Sequence, residues 1–122
     1  MANFKKINDT YGHLVGDDVL KEFVNIFMET IRANDIVARW GGEEFAIILN
    51  ETGIISASRV AENLRESIEK HDFIGIDHLT CSFGVGEYSN ESKDEFMQIV
   101  DRRLYVAKSN GRNKVVSKTT LF

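Results

Sequence analysis

Residues 39–45 read Arg-Trp-Gly-Gly-Glu-Glu-Phe, which places two adjacent carboxylates beside two glycines, between the apolar runs DIVARW and FAIIL. Gly41 and Gly42 remove side-chain bulk, so a ligand can approach the backbone closely there. If the strand has already begun, Glu43 and Glu44 point to opposite faces, and one of them can face a site. A bulk-free turn beside a carboxylate suits a phosphate bridged by Mg²⁺, which takes one or two protein carboxylates together with phosphate oxygens. The plainer alternative for an isolated Glu-Glu pair is an exposed acidic turn.

Three further clusters carry chemistry. In FKKINDTYGH, residues 4–13, Lys5 and Lys6 are followed by Asn8 and Asp9. Asn8 offers both a donor and an acceptor, and the Asp17 carboxylate can accept two parallel N–H bonds, a pairing that matches the edge of guanine. The alternative is that Asn8 and Asp9 serve as turn and capping residues. In AKSNGRNK, residues 107–114, Lys108 and Arg112 flank a glycine turn and could reach phosphates. They could equally be cations favoured at a helix C-terminus that Gly111 stops. Arg32 and Asp35 stand three apart just before the hairpin, a spacing that often gives only a local ion pair.

The elements that must position these residues follow from pattern. Helical spacing predicts a helix from Gly16 to about Ala33, with Val19, Leu20, Phe23, Val24, Phe27 and Ile31 on one face, and carboxylates near its positive end. Asp35–Trp40 and Glu44–Leu49 are expected as a hairpin around Gly41-Gly42. A second amphipathic helix is expected over Ser56–Lys70, and a third over Lys93–Ser109 with Phe96, Val100, Leu104 and Ala107 inward. Short strands are expected at Phe73–Ile76, Leu79–Val85 and Lys114–Val116. Trp40 is read as a partly buried anchor, Tyr11 and Tyr105 as packing residues, and Cys81 as core. The three histidines show no metal-ligand spacing. Helices interleaved with strands and one antiparallel hairpin indicate an α/β fold with a mixed sheet.

Composition sets the outer bounds. With 122 residues, 43% hydrophobic and 28% charged, the chain reads as one ordinary globular domain. A net charge of −4 disfavours bulk electrostatic binding to nucleic acid polymers or anionic membranes, while leaving a local basic site for a small phosphate ligand open. The single cysteine cannot form an internal disulfide, which fits a reducing cytoplasm. No apolar run reaches the roughly 18–20 residues of a membrane span. The start, MANFKK, has no signal-peptide pattern.

Taken in order, FKKINDTYGH, GDDVL, RWGGEEF, the SFGV segment and AKSNGRNKV resemble the GGDEF family of diguanylate cyclases, from Phe4 to about Val116, with the hallmark hairpin in its GGEEF form. The resemblance implies a nucleotidyl-cyclase-like, palm-like fold, a mixed β-sheet flanked by helices. It implies a domain, residues 1–122, that condenses two GTP into cyclic di-GMP with loss of two pyrophosphates, as a homodimer whose two sites face each other. Asn8 and Asp17 would read guanine. Phe4, Lys5, Lys108 and Arg112 would lie along the phosphates. Glu43 and Glu44 would hold Mg²⁺ or Mn²⁺, with Glu44 also a candidate to activate the 3′-hydroxyl, and Gly41 and Gly42 would admit the nucleotide. Arg32 and Asp35 match the family's inhibitory site for the product. The implied setting is the bacterial cytoplasm, with no membrane contact by this domain and any anchor placed elsewhere in a full-length protein.

One departure stands out. In the family a central strand ending in D-x-D precedes FKKIN, and alignment on Phe4 puts Ala2 at the second aspartate. An alanine cannot replace a carboxylate ligand. The expectations are therefore an N-terminally truncated domain lacking its first central strand, impaired turnover, and self-association or strand exchange through unpaired sheet edges. A non-catalytic module binding GTP or cyclic di-GMP is the runner-up, and a purely structural oligomerising domain comes third.

Overall fold

The computed structural model describes residues 9–40, 44–76 and 78–118. Phe4, Lys5, Asn8, Gly41, Gly42 and Glu43 of the sequence reading, together with Ala2, lie outside those residues.

Helix α1 spans His13–Thr30 and buries Val19, Phe23, Ile26 and Phe27, which recur at helical spacing on one side. It begins a turn earlier than expected, after Gly12, whose φ of 93° lies in the left-handed region that glycine enters without steric cost. Gly16 is therefore a buried helix residue, and Asp17 lies outside the first turn, where no acidic residue stands. The dipole argument for Asp17 fails on this point, since the effect fades beyond that turn.

Strands β1 (Ile36–Arg39) and β2 (Phe45–Ile48) pair antiparallel, Ile36 opposite Ile48 and Arg39 opposite Phe45. Helix α2 spans Ile54–Lys70 and buries Ala57, Ala61, Leu64 and Ile68 against α1. Helix α3 occupies Lys93–Ser109, the expected bounds. Ser92 caps it, its Oγ accepting from the Glu95 N–H at 3.2 Å. Strands β3 (Phe83–Gly84) and β4 (Val115–Val116) are parallel and very short. The core joins Val19, Phe23, Phe27, Leu64, Ile68, Phe73, Leu79 and Cys81.

The α/β class with flanking helices is as expected, but the described strands form two separate pairs. Phe73–Ile76 is a turn, not a strand: Gly75 has φ 89°, which breaks an extended run. Phe73 still reaches the core from that turn. Of the run 79–85 only Phe83 and Gly84 are ladder residues; Leu79 and Cys81 are buried without one. Cys81 is core as expected, and burial pushes its thiol pKa up, which keeps it protonated and unreactive.

Three aromatic expectations are corrected. Trp40, Tyr11 and Tyr105 are exposed. Trp40 follows the last ladder residue of β1, beyond the core, and Tyr105 is on the face of α3 turned away from Ala107.

β3 touches α3 so closely that a side chain at Gly84 has no room. A Cβ there would fall 2.5 Å from the Leu104 nitrogen and nearer still to the Val100 carbonyl oxygen, both backbone atoms that cannot swing aside. Gly84→Ala is expected to cost about 1–3 kcal/mol, the usual range for overpacking, read as a lower urea midpoint with unchanged slope.

Candidate functional site

The hairpin places Glu44 immediately before β2, and the Trp40 N–H donates to the Glu44 carbonyl at 2.8 Å, extending the pairing one step toward the tip. Phe45, the next residue, packs against Phe23 and Phe27 of α1, with ring centroids 5.4 and 5.8 Å away. Glu44 is thereby held at the edge of the core, its carboxylate partly exposed, and Oε1 lies 3.7 Å from Lys108 Nζ. With both groups part-exposed, this ion pair contributes less than about 1 kcal/mol of stability. Its importance is positional: it brings an anion from the hairpin and a cation from the end of α3 to one place.

Lys108 is held by that helix end. Ala107 beside it is fully buried. The Arg112 N–H donates to the Ala107 carbonyl at 3.0 Å, with Gly111 at φ 106°, the six-to-one closure that ends many helices. Gly111 therefore ends the helix, and Lys108 in its last turn still reaches the hairpin carboxylate. Arg112 is exposed on the same turn, and Asp17 is exposed on α1. Among the described residues, no side-chain hydrogen bond or ion pair joins Arg112 or Asp17 to the Glu44–Lys108 pair.

Arg32 and Asp35 form more than a local pair. The Asp35 N–H donates to the Arg32 carbonyl at 3.0 Å, and the Arg32 N–H returns a bond of 2.9 Å to Asp35 Oδ2, closing the turn that enters β1. Asp35 Oδ1 accepts from the Asn50 N–H at 3.0 Å, just past β2. Arg32 Nη2 donates to the Asn50 carbonyl at 2.7 Å and to Thr52 Oγ1 at 2.8 Å. Asn50 Nδ2 also donates to the Asn34 carbonyl. Asp35 is thus a buried clamp, its side chain 3% exposed, while Arg32 is 66% exposed. Both line a depression of about 250 Å³ together with Thr52, Gly53 and Ser56. In the sequence, Asn50 and Thr52 are marked by nothing beyond the turn signal Asn-Glu-Thr-Gly.

Among the described residues no cluster of three His, Cys, Asp or Glu groups could hold a metal. Glu44 offers one carboxylate with oxygen donors alone. That fits Mg²⁺ bound chiefly through a nucleotide's phosphates and water, for which one or two protein carboxylates suffice. No helix among the described residues is long and apolar enough to cross a membrane.

A helix-flanked α/β domain with an acidic glycine hairpin set against a cationic helix end defines a class, and the comparisons name it. The family described as diguanylate cyclase, GGDEF domain, matches residues 1–114. The chain is 44% identical over 115 residues to diguanylate cyclase DgcM of Escherichia coli K12, covering 93% of this chain and 28% of that protein. The active GGEEF domain of a diguanylate cyclase from Vibrio cholerae superposes with TM-score 0.88 at 34% identity, over 98% of this chain and 78% of that one. The coiled coil and GGDEF domain of DgcB from Caulobacter crescentus, in complex with c-di-GMP, gives 0.84 at 29% identity, over 95% and 64%. The chain belongs to the GGDEF-domain diguanylate cyclase family, a family of enzymes, and spans little more than a quarter of DgcM.

The Asp35 carboxyl sits below its ordinary value of 3.8, first because the Arg32 N–H bonds it, then through Asn50 and the Arg32 guanidinium, against the opposing effect of burial. A depressed folded-state pKa means stability that is present above 3.8 and is lost as pH falls through the lower folded value. Asp35→Asn is expected to unfold at lower urea than the parent at about pH 7, with the gap closing toward about pH 3. A gap of constant size would show that the carboxylate's charge is not what holds the turn.

Proposed function

We propose that the domain condenses two GTP into cyclic di-GMP and two pyrophosphates. The observation that carries this reading is the approach of Glu44 to Lys108 at 3.7 Å across the hairpin and the α3 terminus, in a chain of this family. Two such domains face each other, and each 3′-oxygen attacks the partner nucleotide's α-phosphorus as the bond to pyrophosphate breaks. Asn8 and Asp17 read the guanine edge. Phe4 and Lys5 line the phosphates on one side, with Lys108 and Arg112 on the other, where their charge offsets that developing on the transferred group. Gly41 and Gly42 let the nucleotide approach. Mg²⁺ or Mn²⁺, held by Glu43 and Glu44 with the phosphates, supplies further charge neutralisation. Glu44 also takes the 3′-hydroxyl proton in this reading.

A second reading is binding of GTP or cyclic di-GMP without turnover, with cyclic di-GMP at Arg32 and Asp35. It is favoured by Ala2, which offers no oxygen where the family pattern has an aspartate, and by the exposed Arg32 guanidinium above the depression, a planar cation suited to a guanine face or phosphate.

Titration of the intact protein with GTP plus Mg²⁺, with product assayed, separates these readings. For the cyclase, Glu44→Ala lowers product formation at least about a hundredfold, chelation of the metal stops it, and the rate per chain rises with protein concentration. Asn8→Ala weakens GTP binding in both readings. Cyclic di-GMP binding without product, abolished by Arg32→Ala, establishes the module instead. A protein that binds neither nucleotide fits neither.

A further inference from the structure

Gly111, Arg112 and Asn113 are three consecutive left-handed residues, with φ of 106°, 62° and 50°. Glycine adopts this region freely and asparagine tolerates it, but arginine has neither advantage. The closure of α3 needs only the first of the three. Something else must hold the other two.

Asn113 is gripped from two directions. Its N–H donates to Ser82 Oγ at 3.0 Å, and Ser82 is a buried residue of the segment entering β3. Its Oδ1 accepts from Arg65 Nη1 at 3.0 Å, and its Nδ2 donates to Glu69 Oε2, both side chains of α2. Arg65 is itself fixed: Nε donates to Glu62 Oε1 at 3.0 Å, Nη2 donates to the same oxygen at 2.5 Å, and Nη1 lies 3.6 Å from Glu69 Oε1. The Glu62 bond holds the Arg65 guanidinium firmly protonated. A strained backbone persists only where its surroundings over-determine it, and here a network from α2 and the β3 approach does so.

Ser82 is buried and Glu62, Arg65, Glu69 and Asn113 are half-buried, whereas Arg112 is exposed. Arg112 lies between two anchors, its own N–H on the Ala107 carbonyl and Asn113 in the network, and its side chain projects from the backbone they hold. We propose that Arg65 and Asn113 are positioning residues, which lock the 111–113 turn so that Arg112 is presented to the nucleotide's phosphates on the same turn as Lys108. The inference rests on the GTP reading above. Without the lock, Arg112 samples other backbone states and the ordering cost falls on binding.

The test is GTP affinity with Mg²⁺ for the intact protein and for Arg112→Ala, Arg65→Gln, Asn113→Gly and the double variants on Arg112→Ala, each with its urea midpoint. Asn113→Gly keeps the left-handed backbone accessible while removing the side-chain ties. Arg65→Gln and Asn113→Gly should each raise the Kd roughly tenfold, in the range typical of removing a supporting contact. On the Arg112→Ala background each should change it by less than about twofold, because the effect passes through Arg112. Equal losses on both backgrounds, or no loss in a parent that binds GTP, overturn the inference alone. A parent that binds no GTP overturns the nucleotide reading and this inference with it.

Discussion

The packing of three phenylalanines is the constraint on which the rest depends. Phe23 and Phe27 meet edge to face with centroids 4.5 Å apart on α1, and Phe45 closes against both. The first two belong to the core that α1 shares with Leu64 and Ile68 of α2. Phe45 belongs to the hairpin. A four-residue strand pair has little stability by itself, so its place is set by what it packs against. Phe45 is half-buried, so it contributes less than the roughly 1.5–3 kcal/mol of a fully buried aromatic, yet its packing anchors the residue beside it, Glu44.

The other half of the site is built from the opposite end of the fold. Gly84 allows β3 to lie directly on the backbone of α3. The segment entering β3 supplies Ser82 to the turn after α3, and α2 supplies Arg65 and Glu69 to the same turn. Lys108 and Arg112 are thus carried by a helix end braced on two sides. The 3.7 Å approach of Lys108 to Glu44 is where the phenylalanine-anchored hairpin and the braced helix end meet.

Carboxylates in this domain do two kinds of work, separated by burial. Asp35 is sunk to 3% exposure, and both its oxygens accept from backbone N–H groups, which ties the entry of β1 to the exit of β2. Glu44 remains part-exposed with the Lys108 ammonium 3.7 Å from one of its oxygens, an acceptor group that a ligand can also approach. The neighbouring Arg32 shares both characters, tying down the turn at 50–52 while keeping most of its surface in solvent.

Much was legible from local pattern. The bounds of α3 were legible from the spacing of Phe96, Val100, Leu104 and Ala107 and from Gly111 after it, and the hairpin from two apolar runs around Gly41-Gly42. Motif order named the family. These legible features are the ones short-range chemistry controls: helix periodicity, caps, turns and the identity of the groups available. Only the packed fold shows that Asp35 clamps Asn50 and that Asn113 is held by Arg65 and Glu69. It also decided that Glu44 meets Lys108. These contacts join residues far apart in the chain, and they exist only once burial of the helix faces has fixed where each element lies.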